Sequence, residues 1–292
     1  MDVQCLYAGR NLLGESPIWH AAQKKLYWVD AIKPSLHALD PKTGQHQEWL
    51  MPALIGSIAP CATGGLIAAM GTGFAWIDLP SGTIRMHCVV NEALTPTHLN
   101  DGKCDRQGRF WAGEVSHDRN AAQGKLYCLQ PNGQVEIKMR DLRLFNGPCW
   151  SPCNGYFYFT DSAKPCTIFR CDFDLKTATL GPRQIFIQTP ENDDGIMDGC
   201  TIDQEGYLWS AKWNGYRLTR YAPTGQIDFE LELPVRRPTS CIFGGKDLDT
   251  LFITSASKDV GEEKPEADTA AGRIYAIQFK DYRGIAETPF GG

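Results

Sequence analysis

The sequence predicts an all-β fold, a six-bladed β-propeller with four antiparallel strands per blade, which spans residues 1–292 as a single domain. Two hairpin phrases alternate six times along the chain, and together they give four strands in each repeat of about 45 residues. Helical periodicity is nearly absent, which disfavours an α/β fold. Two stacked sheets, the alternative all-β arrangement, would not explain why both phrases recur in strict alternation.

The first phrase is a small turn followed by a short strand, in most copies rich in aromatic residues. Its six copies are HAAQKKLYWVD (20–30), PCATGGLIAAM (60–70), DRQGRFWAG (105–113), SPCNGYFYFTD (151–161), DQEGYLWSA (203–211) and KDLDTLFITSA (246–256). They begin 40, 45, 46, 52 and 43 residues apart, a period typical of propeller blades.

The second phrase is a short strand followed by a turn. Its copies are SLHALDPKTGQ (35–45), FAWIDLPSGTI (74–84), KLYCLQPNGQV (125–135), TIFRCDFDLKT (167–177), RLTRYAPTGQI (217–227) and RIYAIQFKDY (273–282). Pro-x-x-Gly and Pro-x-Gly are turn chemistry, and the flanking residues alternate at strand period. We expect the N-terminal strand, residues 3–7, to pair with C-terminal strands and remove a free edge. The charged segment 258–272 predicts an exposed loop, with a lid over one face as the alternative.

Composition restricts the partners of this protein. The net charge is −5 with a pI of about 5.7, and charges of both signs are interspersed, so a nucleic-acid partner is not expected. No apolar run reaches membrane length and the N-terminus lacks a signal pattern, so we expect a cytoplasmic protein without a membrane partner, monomeric or weakly homodimeric. The eleven scattered cysteines, with no Cys-x-x-Cys, are expected to be buried thiols on strands in a reducing compartment.

Polar residues recur five positions before the residue that opens a first-phrase hairpin. They are Glu15, Asn100, Asn146 and Asp198. Ile55 and Cys241 are expected to occupy this place in blades two and six. Equivalent positions in a circular repeat face the same axis, so two carboxylates and two carboxamides would converge on one point and attract a divalent cation. Alternatively, Glu15 could neutralise an arginine, the two asparagines could each hydrogen-bond a turn, and Asp198 could start a turn.

Five segments resemble the SMP-30/gluconolactonase/regucalcin-like (LRE) family over essentially the whole chain. They are LGESPIW (13–19), LNDGKCDRQGRFWAG (99–113), FNGPCWSPC (145–153), MDGCTIDQEGYLW (197–209) and RPTSCIFGG (237–245). The resemblance implies a six-bladed propeller and a metal-dependent sugar lactonase. Its expected reaction is hydrolysis of an aldono-1,5- or 1,4-lactone to the aldonate in carbohydrate catabolism, with a sugar lactone as the small-molecule partner.

The same resemblance implies roles for individual residues. Glu15, Asn146 and Asp198 match the metal-ligand positions, and Asn100 matches the residue that holds water or substrate beside the metal. Asp198 would also activate water, with Asp101 as a second catalytic candidate close by. One divalent ion is expected, and calcium, magnesium, manganese and zinc all remain open.

Departures from the family pattern concern the substrate. His98 replaces an arginine that many members carry, and Glu114 replaces the usual threonine after Ala-Gly. Lys212 and Arg217 are expected near the same site and, with His98, to receive an anionic group on the sugar; the alternative is a solvated rim. Tyr216 is expected to stack on a sugar face. His117 and Asp118 are weaker candidates.

Two other functions remain open from the sequence. One is a metal-dependent esterase or organophosphatase on the same scaffold; the lack of a histidine pair at matched repeat positions counts against it. The other is a non-enzymatic, calcium-binding regulatory protein. A serine hydrolase is disfavoured because the chain contains no Gly-x-Ser-x-Gly segment.

Overall fold

The computed structural model describes residues 2–79, 81–90, 96–190, 193–258 and 269–291. These residues form 25 β-strands joined by turns and bends, and no helix occurs among them. The chain divides into two compact units. The first unit comprises Met1–Pro52 and Thr189–Ala286, and the second comprises Ala53–Gln188 and Glu287–Gly292. The single domain predicted from the sequence stays a prediction.

The first unit contains three four-stranded antiparallel sheets, which are blades one, five and six. Blade one comprises β2 (Gly14–His20), β3 (Lys25–Asp30), β4 (Ser35–Leu39) and β5 (His46–Leu50). Blade five comprises β19 (Ile196–Ile202), β20 (Leu208–Trp213), β21 (Arg217–Tyr221) and β22 (Ile227–Glu232). Blade six comprises β23 (Pro238–Gly244), β24 (Thr250–Ser255), β25 (Ile274–Gln278) and β1 (Gln4–Tyr7). The antiparallel pairing of β1 with β25 confirms the expected N-terminal strand.

The second unit contains blades two, three and four. Blade two comprises β6 (Ile55–Pro60), β7 (Leu66–Met70), β8 (Gly73–Ile77) and β9 (Ile84–Val89). Blade three comprises β10 (Thr97–Cys104), β11 (Phe110–Ser116), β12 (Gly124–Leu129) and β13 (Val135–Leu142). Blade four comprises β14 (Phe145–Trp150), β15 (Tyr156–Asp161), β16 (Thr167–Asp174), β17 (Thr179–Leu180) and β18 (Gln184–Gln188). Because β17 and β18 both pair with β16, this blade has five strands, which fits its longer repeat of 52 residues.

The six sheets are the blades of a six-bladed β-propeller, the fold class predicted from the two phrases. Inner strands such as β6 and β7 are buried along their whole length, and their residues are accordingly mostly apolar. Outer strands such as β9 are partly exposed. Within the second unit, Phe74 of blade two meets Phe110 of blade three edge to face, with ring centroids 5.9 Å apart. The core of the unit thus lies between neighbouring sheets.

In blades three and five the first phrase reads Asp-x-x-Gly-x-x-Trp, and the aspartate at the hairpin opening explains this pattern. Asp105 Oδ1 accepts two backbone N–H groups of its turn, while Oδ2 accepts the indole N–H of Trp111 at 2.8 Å. Asp203 repeats this arrangement, with Trp209 Nε1 at 3.0 Å from Oδ2. Each carboxylate satisfies N–H donors of its turn together with the indole N–H of a buried tryptophan, and so fixes the large aromatic of the next strand.

The cysteines agree with the expectation of buried thiols. All eleven lie in the described ranges as free thiols, and eight are buried. No helix in the described part of the chain is long and apolar enough to cross a membrane. The loop predicted over 258–272 falls mostly on residues 259–268, outside the described residues. At its C-terminal end, the carbonyl of Gly272 accepts the backbone N–H of Asn11 at 2.9 Å.

Candidate functional site

The four predicted donors lie on the first strand of their blades, where strand pairing is interrupted. The register shifts between Glu15 and Ile18 in β2 and between Asn146 and Cys149 in β14. It also shifts next to Asn100 in β10 and next to Asp198 in β19. Such bulges interrupt the hydrogen-bond ladder between the strands and re-aim side chains. The shared position that motivated the prediction is therefore a shared backbone irregularity.

In blades one and four the irregularity is accompanied by unusual backbone angles. Ser16, directly after Glu15, has φ of 45°, and Gly147, directly after Asn146, has φ of 60°. Glycine adopts this left-handed region without steric cost, whereas serine does so rarely. Strain of this kind often accompanies functional sites, so Ser16 supports a special role for the segment that carries Glu15.

The expectation for blade six is wrong by two residues, whereas Ile55 lies at the irregularity of blade two as expected. In β23 the register shifts at Thr239, and Cys241 pairs regularly with Ile253. The Cys241 side chain belongs to the hydrophobic core around Trp209. Counting back from Lys246 failed because β23 ends two residues earlier, at Gly244.

Two aspartates that sequence reasoning missed hold the entry to the donor strands. Asp30 accepts the N–H groups of the residues three and two positions before Glu15, at 2.7 and 3.1 Å. Asp161 accepts the N–H groups at the same offsets before Asn146, at 3.3 and 3.1 Å. Both carboxylates are buried. The signal was available, because each is the aspartate that ends the first phrase of its repeat.

The two carboxamides of the second unit are brought together. Asn100 Nδ2 donates to Asn146 Oδ1 at 2.8 Å and to the carbonyl of Phe145 at 2.9 Å. Asn146 Nδ2 donates in turn to Ser162 Oγ at 2.9 Å. These bonds fix the orientation of the Asn146 amide. A carbonyl oxygen has two lone pairs, so Asn146 Oδ1 can accept the Asn100 amide and also bind a cation.

Asp101 is buried and bonded to the backbone on both sides. Its Oδ1 accepts the N–H of Gly102 at 2.8 Å, and its Oδ2 accepts the N–H of Gly147 at 2.7 Å. Burial raises the pKa of this carboxyl, and the two N–H groups and the charge of Lys103 oppose that rise. The bond to Gly147 positions the segment that carries Asn146. A catalytic role for Asp101 stays a prediction.

Glu114 is fully buried and its carboxylate is occupied inside blade three. Its oxygens accept the hydroxyl of Thr97 at 3.1 Å, the N–H of Lys125 at 2.9 Å and the hydroxyl of Tyr127 at 3.4 Å. Burial raises its pKa, against the effect of these donors. The geometry describes a group that organises the sheet, and its predicted contact with substrate stays untested.

His98 is paired with His117, which the sequence indicated only weakly. The Nδ1 of His98 lies 3.1 Å from the Nε2 of His117, and their rings are 5.2 Å apart. Burial, together with the charge of His117, lowers the pKa of His98 to about 4. At neutral pH His98 is therefore an uncharged hydrogen-bonding group.

The first unit holds the two predicted carboxylates and the predicted cations. Glu15 and Asp198 are 9% and 8% exposed. Lys212 and Arg217 share a carboxylate that sequence reasoning missed, Asp193. A cavity of about 560 Å³ lies beside this cluster. It is lined by Asp194, Asn214, Gly215, Tyr216, Arg217 and Arg236. Tyr216 is 47% exposed there, in a position open to a ligand.

The donor types fit a hard divalent cation. Glu15, Asn146 and Asp198 are buried and offer carboxylate or amide oxygens, the ligands that calcium, magnesium and manganese prefer. Among the described residues, no group of three or more His, Cys, Asp or Glu is placed to hold a metal. The predicted set includes an amide and so has a different composition. Its convergence on one ion stays a prediction.

Comparison with known proteins places these residues in a family. The profile of the SMP-30/Gluconolactonase/LRE-like region matches residues 13–257. Regucalcin from Danio rerio is 35% identical over 295 residues, which cover 100% of this chain and 99% of the relative. A 6-deoxy-6-sulfogluconolactonase from Pseudomonas putida is 31% identical over 291 residues, 99% of both chains.

A solved structure agrees over the same length. It is that of regucalcin from Agrobacterium tumefaciens, described as a calcium-binding protein. It superposes with a TM-score of 0.92 at 25% identity, covering 99% of this chain and 97% of that one. The fold and the sequence relationship therefore extend over the whole chain. This protein belongs to the SMP-30/gluconolactonase/LRE-like family.

Proposed function

We propose that this protein is a lactonase that hydrolyses the lactone of a sugar acid to the open-chain aldonate, with a divalent cation held by Glu15, Asn146 and Asp198. Family membership over residues 13–257 carries the proposal. The relationship to a 6-deoxy-6-sulfogluconolactonase supports the reaction class, and the calcium-binding description of the Agrobacterium relative supports a divalent ion. Calcium, magnesium, manganese and zinc are all candidates.

The side chains divide the chemistry between them. A divalent cation would polarise the lactone carbonyl and stabilise negative charge on its oxygen. Asp198 would accept the proton of the attacking water as a general base. Asn100, whose amide is already oriented by Asn146, would position water or substrate. Asp101 would keep the segment beside Asn146 in place through the N–H of Gly147.

The polar and aromatic groups nearby would bind the sugar. Neutral His98 would exchange hydrogen bonds with hydroxyl groups, and exposed Tyr216 would offer an aromatic face. Lys212 and Arg217 complete the proposed substrate-binding set, together with Glu114. The protein would then act on a small-molecule substrate in carbohydrate metabolism, in the cytoplasm, as a monomer or weak homodimer.

A direct assay tests the proposal. Purified protein is mixed with glucono-1,5-lactone, glucono-1,4-lactone and pentonolactones, and acid release is followed with a pH indicator. We expect turnover that a chelator abolishes and a divalent ion restores. Asp198→Ala should lose turnover by at least about 100-fold while the circular dichroism spectrum is kept. Asp174→Asn, which changes an exposed turn carboxylate, is the control.

Two results would contradict this function. Full activity after exhaustive chelation would exclude the cation from catalysis, and a wild-type rate in Asp198→Ala would remove Asp198 as the base. The second candidate is a calcium-binding protein without turnover, which the description of the Agrobacterium relative favours. Calorimetric binding of calcium together with no hydrolysis across the lactone panel would select it.

A further inference from the structure

The two cations expected to receive an anionic substrate are ion-paired within the first unit. Arg217 Nη2 lies 2.8 Å from Asp193 Oδ1, and Lys212 Nζ lies 3.8 Å from Asp193 Oδ2. Asp193 Oδ1 also accepts the N–H of Gly195 at 2.8 Å, which orients the carboxylate. Arg217 Nε is paired a second time, with Glu230 at 2.7 Å. Asp193 therefore lies between the two cations.

This cluster lies at the same end of blade five as Asp198. Lys212 is the cross-strand partner of Met197, the residue before Asp198, and Arg217 is the cross-strand partner of Lys212. Neighbouring strands are about 4.8 Å apart, so the cations begin within one or two strands of the proposed base. Arg217 also lines the cavity of about 560 Å³.

Burial explains why Lys212 requires a counter-charge. Its residue is only 2% exposed, and an ammonium group taken out of water is costly unless a carboxylate compensates it. Lys212 and Arg217 carry two positive charges, and Asp193 and Glu230 carry two negative ones, so the cluster is formally neutral. An anionic substrate would have to displace Asp193 or add uncompensated negative charge.

Building on the proposed lactonase function, we infer that Asp193 is a specificity-determining residue that neutralises Lys212 and Arg217 and so favours uncharged lactones over lactones that carry a carboxylate, phosphate or sulfonate. The sequence shows two cations near the site and suggests an anionic substrate. The ion pairs predict the opposite preference, for an uncharged lactone, because the Asp193 carboxylate is already paired with both cations.

The kinetic test compares two lactones that differ by one charge. Glucono-1,4-lactone carries a CH2OH group where glucaro-1,4-lactone carries a carboxylate. We expect wild-type protein to have the higher kcat/KM for the neutral lactone. In Asp193→Asn, which keeps an oxygen for the N–H of Gly195, the ratio of charged to neutral kcat/KM should rise about tenfold.

Two further variants separate the effect of the Asp193 ion pairs from the effect of a change in net charge. Asp194→Asn removes the same charge one residue along and leaves the pairs of Lys212 and Arg217 with Asp193 intact; its ratio should stay within about twofold of wild type. Glu230→Gln removes one of the two carboxylates paired with Arg217 and leaves the pair of Lys212 with Asp193 intact, so it should give an intermediate rise. An equal rise in Asp194→Asn, an unchanged ratio in Asp193→Asn, or a wild-type preference for the charged lactone would overturn the inference.

A binding measurement keeps the inference separate from the proposed function. If neither lactone is hydrolysed, the lactonase proposal fails, and the role of Asp193 is decided by calorimetry with sodium sulfate in the presence of a chelator. Asp193→Asn should bind sulfate at least about tenfold more tightly than wild type and Asp194→Asn. Equal affinity in all three proteins would show that Asp193 does not exclude anions.

Discussion

Replacing Asp30 or Asp161 with asparagine should loosen the entry to a donor strand without changing side-chain size. Asp30 accepts four backbone N–H groups, from Leu12, Leu13, Ile32 and Lys33, at 2.7 to 3.1 Å. Asp161 accepts three, from Arg143, Leu144 and Ala163, at 3.1 to 3.3 Å. Both aspartates are at most 3% exposed, so their carboxylate oxygens depend on these N–H groups and not on bulk water.

The size of the effect follows from the bonds. Hydrogen bonds to a charged acceptor are worth about 1.5–3 kcal/mol, and asparagine turns one oxygen into an NH2 group that opposes an N–H donor. We expect each variant to lose about 2–3 kcal/mol of unfolding free energy, with the larger loss for Asp30→Asn. At about 2 °C per kcal/mol for a chain of this length, the melting temperature falls by about 4–6 °C.

Thermal denaturation followed by circular dichroism measures the change, and lactone turnover at 25 °C measures its consequence. Turnover should fall about tenfold or more, because the strands that carry Glu15 and Asn146 lose their anchor. Asp174→Asn is the matched control, since that exposed carboxylate accepts two turn N–H groups in water. Melting temperatures within about 1 °C of wild type for both buried variants would refute the reasoning.

Three further outcomes are expected. Asn100→Asp should lower the unfolding free energy by about 1–3 kcal/mol in urea titrations, because an acceptor would face the Asn146 oxygen; Asn100→Ser should cost less. Burial lowers the pKa of His37 to about 4, so the contribution of neutral His37 to the free energy of unfolding is complete above pH 6.5 and falls by about 3 kcal/mol toward pH 4. Melting curves recorded over this pH range should show a smaller loss of stability for His37→Gln than for wild type. Millimolar calcium should raise the melting temperature of wild type but not of Glu15→Gln; equal rises would exclude that ligand.

The fold was predictable from the repeats because the residues that form a hairpin are close together in sequence. Turn residues and alternating strands stand within about a dozen positions of each other, so each phrase reports its own hairpin. The two-residue strand β17, a fifth strand that also pairs with β16, was not anticipated. Only the longer spacing of that repeat hinted at it, since the two phrases give four strands in each blade.

The candidate site was predictable where it follows the repeat. Glu15, Asn100, Asn146 and Asp198 share a place relative to a hairpin, and each lies at a backbone irregularity of its strand. Cys241 was misplaced because counting from a turn assumes equal hairpin lengths. Partners distant in sequence were missed: Asp193 pairs with Arg217 across 24 residues, and no pattern in a single sequence announces such a pair.

Asp193, which sequence reasoning missed, and the proposed cation ligands, which it found, lie in different parts of the fold. Asp193 lies between β18 and β19, in a connection that belongs to neither phrase, whereas Glu15 and Asn146, two of the proposed cation ligands, lie on first strands held by buried aspartates. A ligand set needs precise geometry, which paired strands supply. Preference for substrate charge needs a carboxylate paired with Lys212 and Arg217, which a connecting segment can supply without altering the sheet. Asp193→Asn should therefore alter which lactone is preferred while leaving cation affinity within about threefold of wild type, and calcium titration of that variant decides this. A tenfold weaker calcium affinity in that variant would show that charge preference and cation binding are not separable in this blade.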